Sequence, residues 1–137
     1  MFFKKNKKKD EDKNFVKIAS LLIHAAKIDE NFSKTEEKII TEALLKLGAK
    51  NESLESIIKA GKLMEENANQ ILDFTREVKN MDENKKIQII ETLWQIIYSN
   101  KEADIYETNL MRRLAGLLYV DNKTMGDIKE KIKKENS

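Results

Sequence analysis

The sequence has no cysteine and no proline, and it has only four glycines and one histidine among 137 residues. The absence of cysteine excludes disulfides, thiolate nucleophiles and thiolate zinc sites. A single histidine excludes metal centres that are built from several imidazoles. The glycines form neither a phosphate-binding loop nor the turn that presents a serine nucleophile. Because so few residues interrupt regular backbone, long helices are expected.

Charged residues make up 36% of the chain, and the 26 basic and 24 acidic side chains are interspersed. Five lysines fall within residues 1–9, which contain no acidic residue. We therefore expect a flexible basic leader over residues 1–12 and one helical domain over residues 13–135. No nucleic-acid partner is expected, because the remaining basic residues are dispersed and aromatic residues make up only 7%.

The leader begins like the basic region of a signal peptide, but acidic residues follow it where an apolar segment would be needed. No apolar stretch approaches the length of a membrane-spanning helix. A cytoplasmic location is the default expectation. Lysines are attracted to anionic lipid, so weak peripheral membrane contact through residues 1–9 is one alternative, and a solvated tail is the other.

Apolar residues recur at helical spacing along the chain and predict an all-α, single-domain bundle of about seven helices. Gly48 is expected to end the second helix, because glycine adopts the left-handed turn that follows a helix. Asn51, Asp82 and Asp121 are expected to cap three later helices. The most apolar pattern, at residues 87–97, predicts the most enclosed helix. The apolar patterns lie at residues 15–26, 39–47, 54–64, 71–78, 87–97, 110–118 and 125–132.

An internal repeat is visible when the chain is shifted by 71 positions, which aligns residues 22–48 with residues 93–119. Each copy contains a polar segment between two helical patterns; we call these segments the hinges, residues 29–36 and 100–107. Side-chain oxygens stand at the first, third, fifth and eighth positions of both hinges. The eight residues are Asp29, Asn31, Ser33, Glu36, Asn100, Glu102, Asp104 and Glu107. The repeat predicts two pseudo-symmetric helix–hinge–helix halves.

Two interpretations of these oxygens stay open. Ser33 and Glu36 have the spacing of a capping box, and Asp104 and Glu107 have a closely related one, so helix capping explains four of the eight side chains. Alternatively, oxygens at alternate positions suit Ca²⁺ or another divalent cation. The hinges are not EF-hands, because Lys34 occupies the place of the glycine that such a loop requires.

The chain resembles the TerB-like family over residues 13–132. The resemblance is carried by Leu-Asp-Phe-Thr-Arg at residues 72–76, Glu-Thr-Leu-Trp at residues 91–94 and, most specifically, Arg-Arg-Leu-Ala at residues 112–115. It implies an all-helical domain of two related halves in a bacterial stress context. Related domains precede the J domain of a membrane-anchored co-chaperone, but this chain has no proline and so lacks the His-Pro-Asp signature of a J domain.

The resemblance also implies an acidic patch that holds a divalent cation, with Asp29, Glu36, Asn100 and Glu107 at the matching positions. The family pattern is Ala-Asp-Gly followed by a glutamate seven residues after the aspartate. In the first copy Glu30 replaces the glycine, and in the second copy Asn100 and Lys101 replace the aspartate and the glycine.

Three further side chains are candidates for function. Arg112 and Arg113 are two of only three arginines, and their guanidinium groups suit either an internal ion pair or a contact with a partner. His24 is either a structural residue or an additional metal ligand.

The sequence thus predicts a non-enzymatic helical module that acts through protein partners and carries a degenerate acidic patch for a divalent cation. Two alternatives remain. One is a metal-dependent enzyme that uses Asp29, Glu36 and Glu107, and the other is a peripheral membrane adaptor that uses the basic leader.

Overall fold

The computed structural model describes residues 2–29, 32–68, 72–99 and 105–136, with side chains in these ranges except those of residues 2–12, 29 and 72. This part of the chain contains seven α-helices, two 3₁₀ turns at Lys27–Asp29 and Asn51–Ser53, and no strand, which confirms the predicted all-α fold. No helix within these ranges is both long and apolar enough to cross a membrane. The helices are α1 (Phe2–Ala26), α2 (Lys34–Lys46), α3 (Leu54–Asn67), α4 (Leu72–Lys79), α5 (Glu83–Tyr98), α6 (Ile105–Leu117) and α7 (Asn122–Glu135).

Helix α1 begins at Phe2 and therefore includes most of the predicted basic leader. The backbone of residues 2–12 is helical and continuous with the rest of α1, in keeping with a composition that contains neither glycine nor proline. The flexibility of the leader stays a prediction.

Three of the predicted helix caps are confirmed, and one is wrong. Asp82 accepts a hydrogen bond from the backbone N–H of Lys85 at 2.9 Å, and Asp121 accepts one from that of Thr124 at 2.6 Å. Gly48 follows α2 with a φ of +109°. Asn51 does not cap α3, because it begins a 3₁₀ turn, and α3 starts only at Leu54.

The internal repeat predicted from the sequence is visible in the backbone. Helices α2 and α6 each have 13 residues, and a shift of 71 positions superimposes their bounds in the sequence. The turns after them also match, because the N–H of Ala49 donates to Leu44 and that of Val120 donates to Ala115, both at 2.9 Å. Tyr119, the counterpart of Gly48, likewise has a positive φ, of 56°.

The same shift relates α3 to α7. The first two of its buried pairs are Leu54 with Met125 and Ile57 with Ile128. The chain therefore consists of an α1–α2–α3 half and an α5–α6–α7 half, with α4 between them.

The core lies between the first and last helices of these halves. α1 packs against α3, α5 packs against α7, and α1 and α5 contact each other. α5 is enclosed, as predicted, but α1 shares the central position, because residues 18–26 are all buried except the half-buried His24. α2 crosses to contact α5, and α4 rests on α1 and α6.

Candidate functional site

The first hinge ends in a capping box. The N–H of Glu36 donates to Ser33 Oγ at 3.1 Å, and the N–H of Ser33 donates to Glu36 Oε1 at 2.9 Å. The predicted cap is therefore confirmed. Glu36 is buried, with 2% of the residue exposed, and its carboxylate accepts the hydrogen bond from the N–H of Ser33 at the start of α2.

The second hinge places Glu107 at the equivalent position of α6, and this residue is also buried, at 4% exposure. The companion Asp104, together with Asn100, lies outside the described residues. Asp29 closes the 3₁₀ turn, but its side chain is likewise outside them. Of the four predicted metal ligands, the structure thus describes the side chains of Glu36 and Glu107. Within its described ranges it brings no three histidine or carboxylate residues together as a metal site, and metal binding stays a prediction.

A cavity of about 570 Å³, which we call the hinge groove, opens beside the start of α6. Ile28, which directly precedes Asp29, and Tyr106, which directly precedes Glu107, both line this groove. The groove thus lies between the end of the segment that precedes the first hinge, at Ile28, and the end of the second hinge, at Tyr106. Its lining residues are His24, Ile28, Tyr106, Asn109, Leu110 and Arg113.

One wall of the hinge groove is fixed by Glu65 of α3. Glu65 Oε1 lies 3.2 Å from His24 Nδ1, and Oε2 accepts a hydrogen bond from Lys27 Nζ at 2.7 Å. That hydrogen bond is the main reason why the pKa of Lys27 is raised above its ordinary value. Because a carboxylate only accepts hydrogen bonds, the contact favours the His24 tautomer with its proton on Nδ1. The His24 ring also contacts Phe74, at 6.2 Å between ring centres.

His24 is therefore a positioned wall residue, which agrees with its structural interpretation. The sequence pattern gave no sign of Glu65, which is 41 residues away from His24 on another helix. No motif links the two residues, so only the packing of α3 on α1 reveals the contact.

Arg112 and Arg113 do not form one site. Arg113 lines the hinge groove, whereas Arg112 lines a separate cavity between α5, α6 and α7. Neighbouring residues on a helix are separated by about 100° around its axis, so their side chains diverge. Neither arginine has an ion pair with a carboxylate among the described residues, so the predicted internal pair is not found there. A partner contact stays a prediction.

A smaller groove of about 110 Å³ lies at the pseudo-equivalent place, between α2 and α5. The shift of 71 positions relates Ile39 there to Leu110, and Gln95 there to His24. It also relates Glu42 to Arg113, so the two grooves differ in the sign of their charge. Only the larger groove combines a guanidinium group with an aromatic residue, Tyr106.

The fold and the site define a single-domain helical bundle made of two related helix–hinge–helix halves. The sequence model of the family described as "Tellurite resistance protein TerB" matches residues 15–130, and the chain belongs to this family. This confirms the resemblance noted from the sequence. Comparisons with curated proteins and with solved structures found no match.

Proposed function

We propose that this chain is a non-enzymatic interaction module that binds an acidic segment of a protein partner in the hinge groove. The observation that carries the proposal is that Tyr106, at the end of the second hinge, and Arg113 line one open groove together with Ile28, which precedes the first hinge. The family description mentions tellurite resistance, and a stress-associated accessory role is the part of the proposal that rests on that description.

The apolar contribution to partner binding comes from the start of α6. Ile105 is 69% exposed and Tyr106 is 71% exposed, although both are large apolar or aromatic side chains. Aromatic side chains at a rim of this kind supply much of the contact energy in protein interfaces. Leu110 supplies apolar surface deeper in the groove, at 5% exposure.

The charge of the groove argues for an acidic partner. Arg113 has no ion pair with a described carboxylate, and the lining residues that the structure describes include no acidic one. Glu65, a carboxylate that contacts this wall, already binds Lys27 and His24. A guanidinium group pairs well with a carboxylate in two-point geometry. The partner segment is therefore expected to place an acidic side chain on Arg113 and an apolar one on Tyr106.

A random-peptide selection tests this part of the proposal. Peptides selected on the immobilised full chain are expected to be rich in acidic residues next to apolar ones. Their binding should fall by at least about tenfold in Arg113→Glu and should recover when lysine replaces the acidic position of the peptide. Arg112→Glu is the matched control, because that side chain lies in another cavity. Absence of enriched peptides, or enrichment without acidic residues, contradicts the proposal.

We further propose that the hinges hold a divalent cation beside the groove, with Asp29, Glu36, Asn100 and Glu107 as its ligands. Support comes from two facts: Glu36 and Glu107 occupy equivalent buried positions, and the residues directly before Asp29 and Glu107, which are Ile28 and Tyr106, line the same groove. Hard divalent cations such as Ca²⁺ are bound by carboxylate and amide oxygens. The cation would order the hinges and thereby shape the contact surface.

Calorimetric titration of the full chain with Ca²⁺, Mg²⁺ and Mn²⁺ tests the cation. Binding below millimolar concentration is expected, and Glu107→Gln should weaken it by about tenfold or more. Glu37→Gln is the matched control, since Glu37 follows Glu36 on α2 and is partly exposed. If none of the three ions binds below millimolar concentration, both the cation site and a metal-dependent enzyme built on these carboxylates are wrong. The interaction proposal is judged separately, by the peptide experiment.

A further inference from the structure

A second cavity, distinct from the hinge groove, lies where α5, α6 and α7 meet. It has a volume of about 160 Å³, and we call it the indole cavity. This is roughly five times the share of volume that one water molecule takes in the liquid, which suits a small molecule or a single functional group. Its lining residues are Trp94, Thr108, Met111, Arg112, Ala115, Asn122, Met125, Gly126 and Lys129.

The polar groups at this cavity are donors of hydrogen bonds and carriers of positive charge. Trp94 is only 2% exposed, and its Nε1 is buried without a hydrogen-bond partner among the described residues. Lys129 Nζ lies 5.5 Å from the centre of the Trp94 ring. Neither Lys129 nor Arg112 forms an ion pair with a carboxylate that the structure describes. The lining includes no acidic residue.

A buried N–H group without an acceptor lowers stability, and native proteins have few of them. Two cations that face one small cavity without counter-charge also repel each other. A small anion bound in the cavity relieves this repulsion between the cations.

The first half of the chain offers an internal comparison. The positions equivalent to four lining residues are occupied as follows: Ile23 for Trp94, Thr41 for Arg112, Leu44 for Ala115, and Ile58 for Lys129. Ile23, Leu44 and Ile58 are all buried in the core. At three of these positions the first half thus carries a buried aliphatic side chain, whereas the second half carries an indole, an alanine methyl group and a lysine. At the fourth position Arg112 stands where the first half has Thr41. The difference is confined to side chains, since the backbones of the halves match.

We propose that the indole cavity binds a small oxyanion, the carboxylate or phosphate group of a small molecule. Arg112 and Lys129 supply the positive charge, and the Trp94 ring forms part of the wall. Asn122, at the first turn of α7, contributes an amide group to the same wall. The site is separate from the hinge groove, so its ligand is bound independently of the partner segment proposed above.

Trp94 is the only tryptophan in the chain, so one residue reports on the cavity directly. The full chain is titrated with inorganic phosphate and, separately, with acetate, while sodium chloride keeps the ionic strength constant. Tryptophan fluorescence and the single indole N–H signal in a ¹H–¹⁵N correlation spectrum are followed. A saturable change in both is expected. A preference for phosphate identifies a phosphoryl ligand, and a preference for acetate identifies a carboxylate.

Two variants and one matched control locate the binding. Arg112→Gln is expected to weaken binding by about tenfold or more, because a charged hydrogen-bond donor is lost. Arg113→Gln removes the same charge from the neighbouring position and should bind as the natural chain does. Gly126→Leu should block binding, because a Cβ at Gly126 meets no atom within 4 Å and the larger side chain has the cavity to occupy.

The proposal is wrong if neither anion gives a saturable change in either signal. It is also wrong if Arg113→Gln weakens binding as much as Arg112→Gln, or if Gly126→Leu still binds with unchanged affinity. The unfolding transition of each variant is measured first, so that loss of binding is read only from folded protein. Failure of these tests leaves the peptide experiment on the hinge groove unaffected, since that experiment depends on Arg113.

Discussion

Replacing Gly61 with alanine is expected to lower the free energy of unfolding, although alanine is the better helix former. Gly61 lies within α3 where this helix crosses α1. A Cβ atom at this position would stand 2.9 Å from the Cβ of Ala19 and 3.4 Å from Ile23 Cδ1 and from the backbone nitrogen of Ser20. The Ala19 Cβ is fixed to the α1 backbone and has no rotamer that avoids the contact. The two helices must therefore separate.

The size of the effect on the free energy of unfolding follows from one stabilising contribution and two destabilising ones. Glycine to alanine in a helix interior gains about 1 kcal/mol in helix propensity. Overpacking a close contact costs about 1–3 kcal/mol. Separation of the helices also stretches the hydrogen bond from Ser20 Oγ to the Gly61 carbonyl, which is 3.0 Å long and buried. Such a bond contributes about 1 kcal/mol. The net expectation is a loss of about 1–3 kcal/mol.

Urea denaturation followed by circular dichroism measures this difference. The matched control is Gly126→Ala on α7, where an added Cβ meets no atom within 4 Å, so stability should rise by about 0.5–1 kcal/mol. Ala19→Gly in the Gly61→Ala background restores the missing space and should recover part of the loss. If Gly61→Ala is as stable as the natural chain or more stable, the close approach of α1 and α3 is wrong.

Three further predictions concern helix ends. Gly48→Ala should destabilise the protein by about 1–2 kcal/mol, because the backbone φ at this position is positive. Tyr119 also has a positive φ, so Tyr119→Gly should stabilise the protein by about 0.5 kcal/mol. Equal effects of the two substitutions in urea denaturation would refute this prediction. Ser33→Ala should cost about 1 kcal/mol by removing the capping box, and a thermal unfolding midpoint that does not fall would contradict it. Hydrogen bonds from Thr124 lower the pKa of Asp121 below the ordinary value of 3.8, so its capping contribution is complete above that pH and is lost as the pH falls through the lowered pKa. When the free energy of unfolding is measured against pH, Asp121→Asn should lack this loss at low pH. Identical profiles for the natural chain and Asp121→Asn would count against the cap.

The sequence was sufficient to predict those features that depend on neighbouring residues. The caps at Asp82 and Asp121, the capping box of Ser33 and the turn at Gly48 each involve side chains and backbone groups within a few positions. The shift of 71 positions was also visible, because it preserves the apolar spacing that fixes the buried face of each helix. Local chemistry and periodicity thus predicted the helices and the division into halves.

The features that the sequence did not predict depend on contacts between distant helices. The contact of Glu65 with His24 arises from the packing of α3 on α1 and has no local signal. Asn51 was wrong as a cap because the first turn before α3 is a 3₁₀ turn, which the spacing of apolar residues does not distinguish from an α-helical start. Arg112 and Arg113 were treated as one candidate contact because they are adjacent in the sequence. On a helix, adjacent side chains point in different directions, so the two arginines line different cavities.

The comparison of the two halves indicates where specificity resides in this fold. Positions that hold the helices together exchange one apolar residue for another, such as Leu54 for Met125, and they leave the backbone unchanged. Positions that line the two larger openings of the second half instead exchange charge or polarity: Arg113 stands where the first half has Glu42, and Lys129 stands where it has Ile58. An apolar exchange conserves the driving force for folding, whereas a cation facing a cavity contributes little to folding and favours an anionic ligand. Ligand binding is therefore expected in the second half. The first half has the same backbone and serves as the scaffold on which the second half packs.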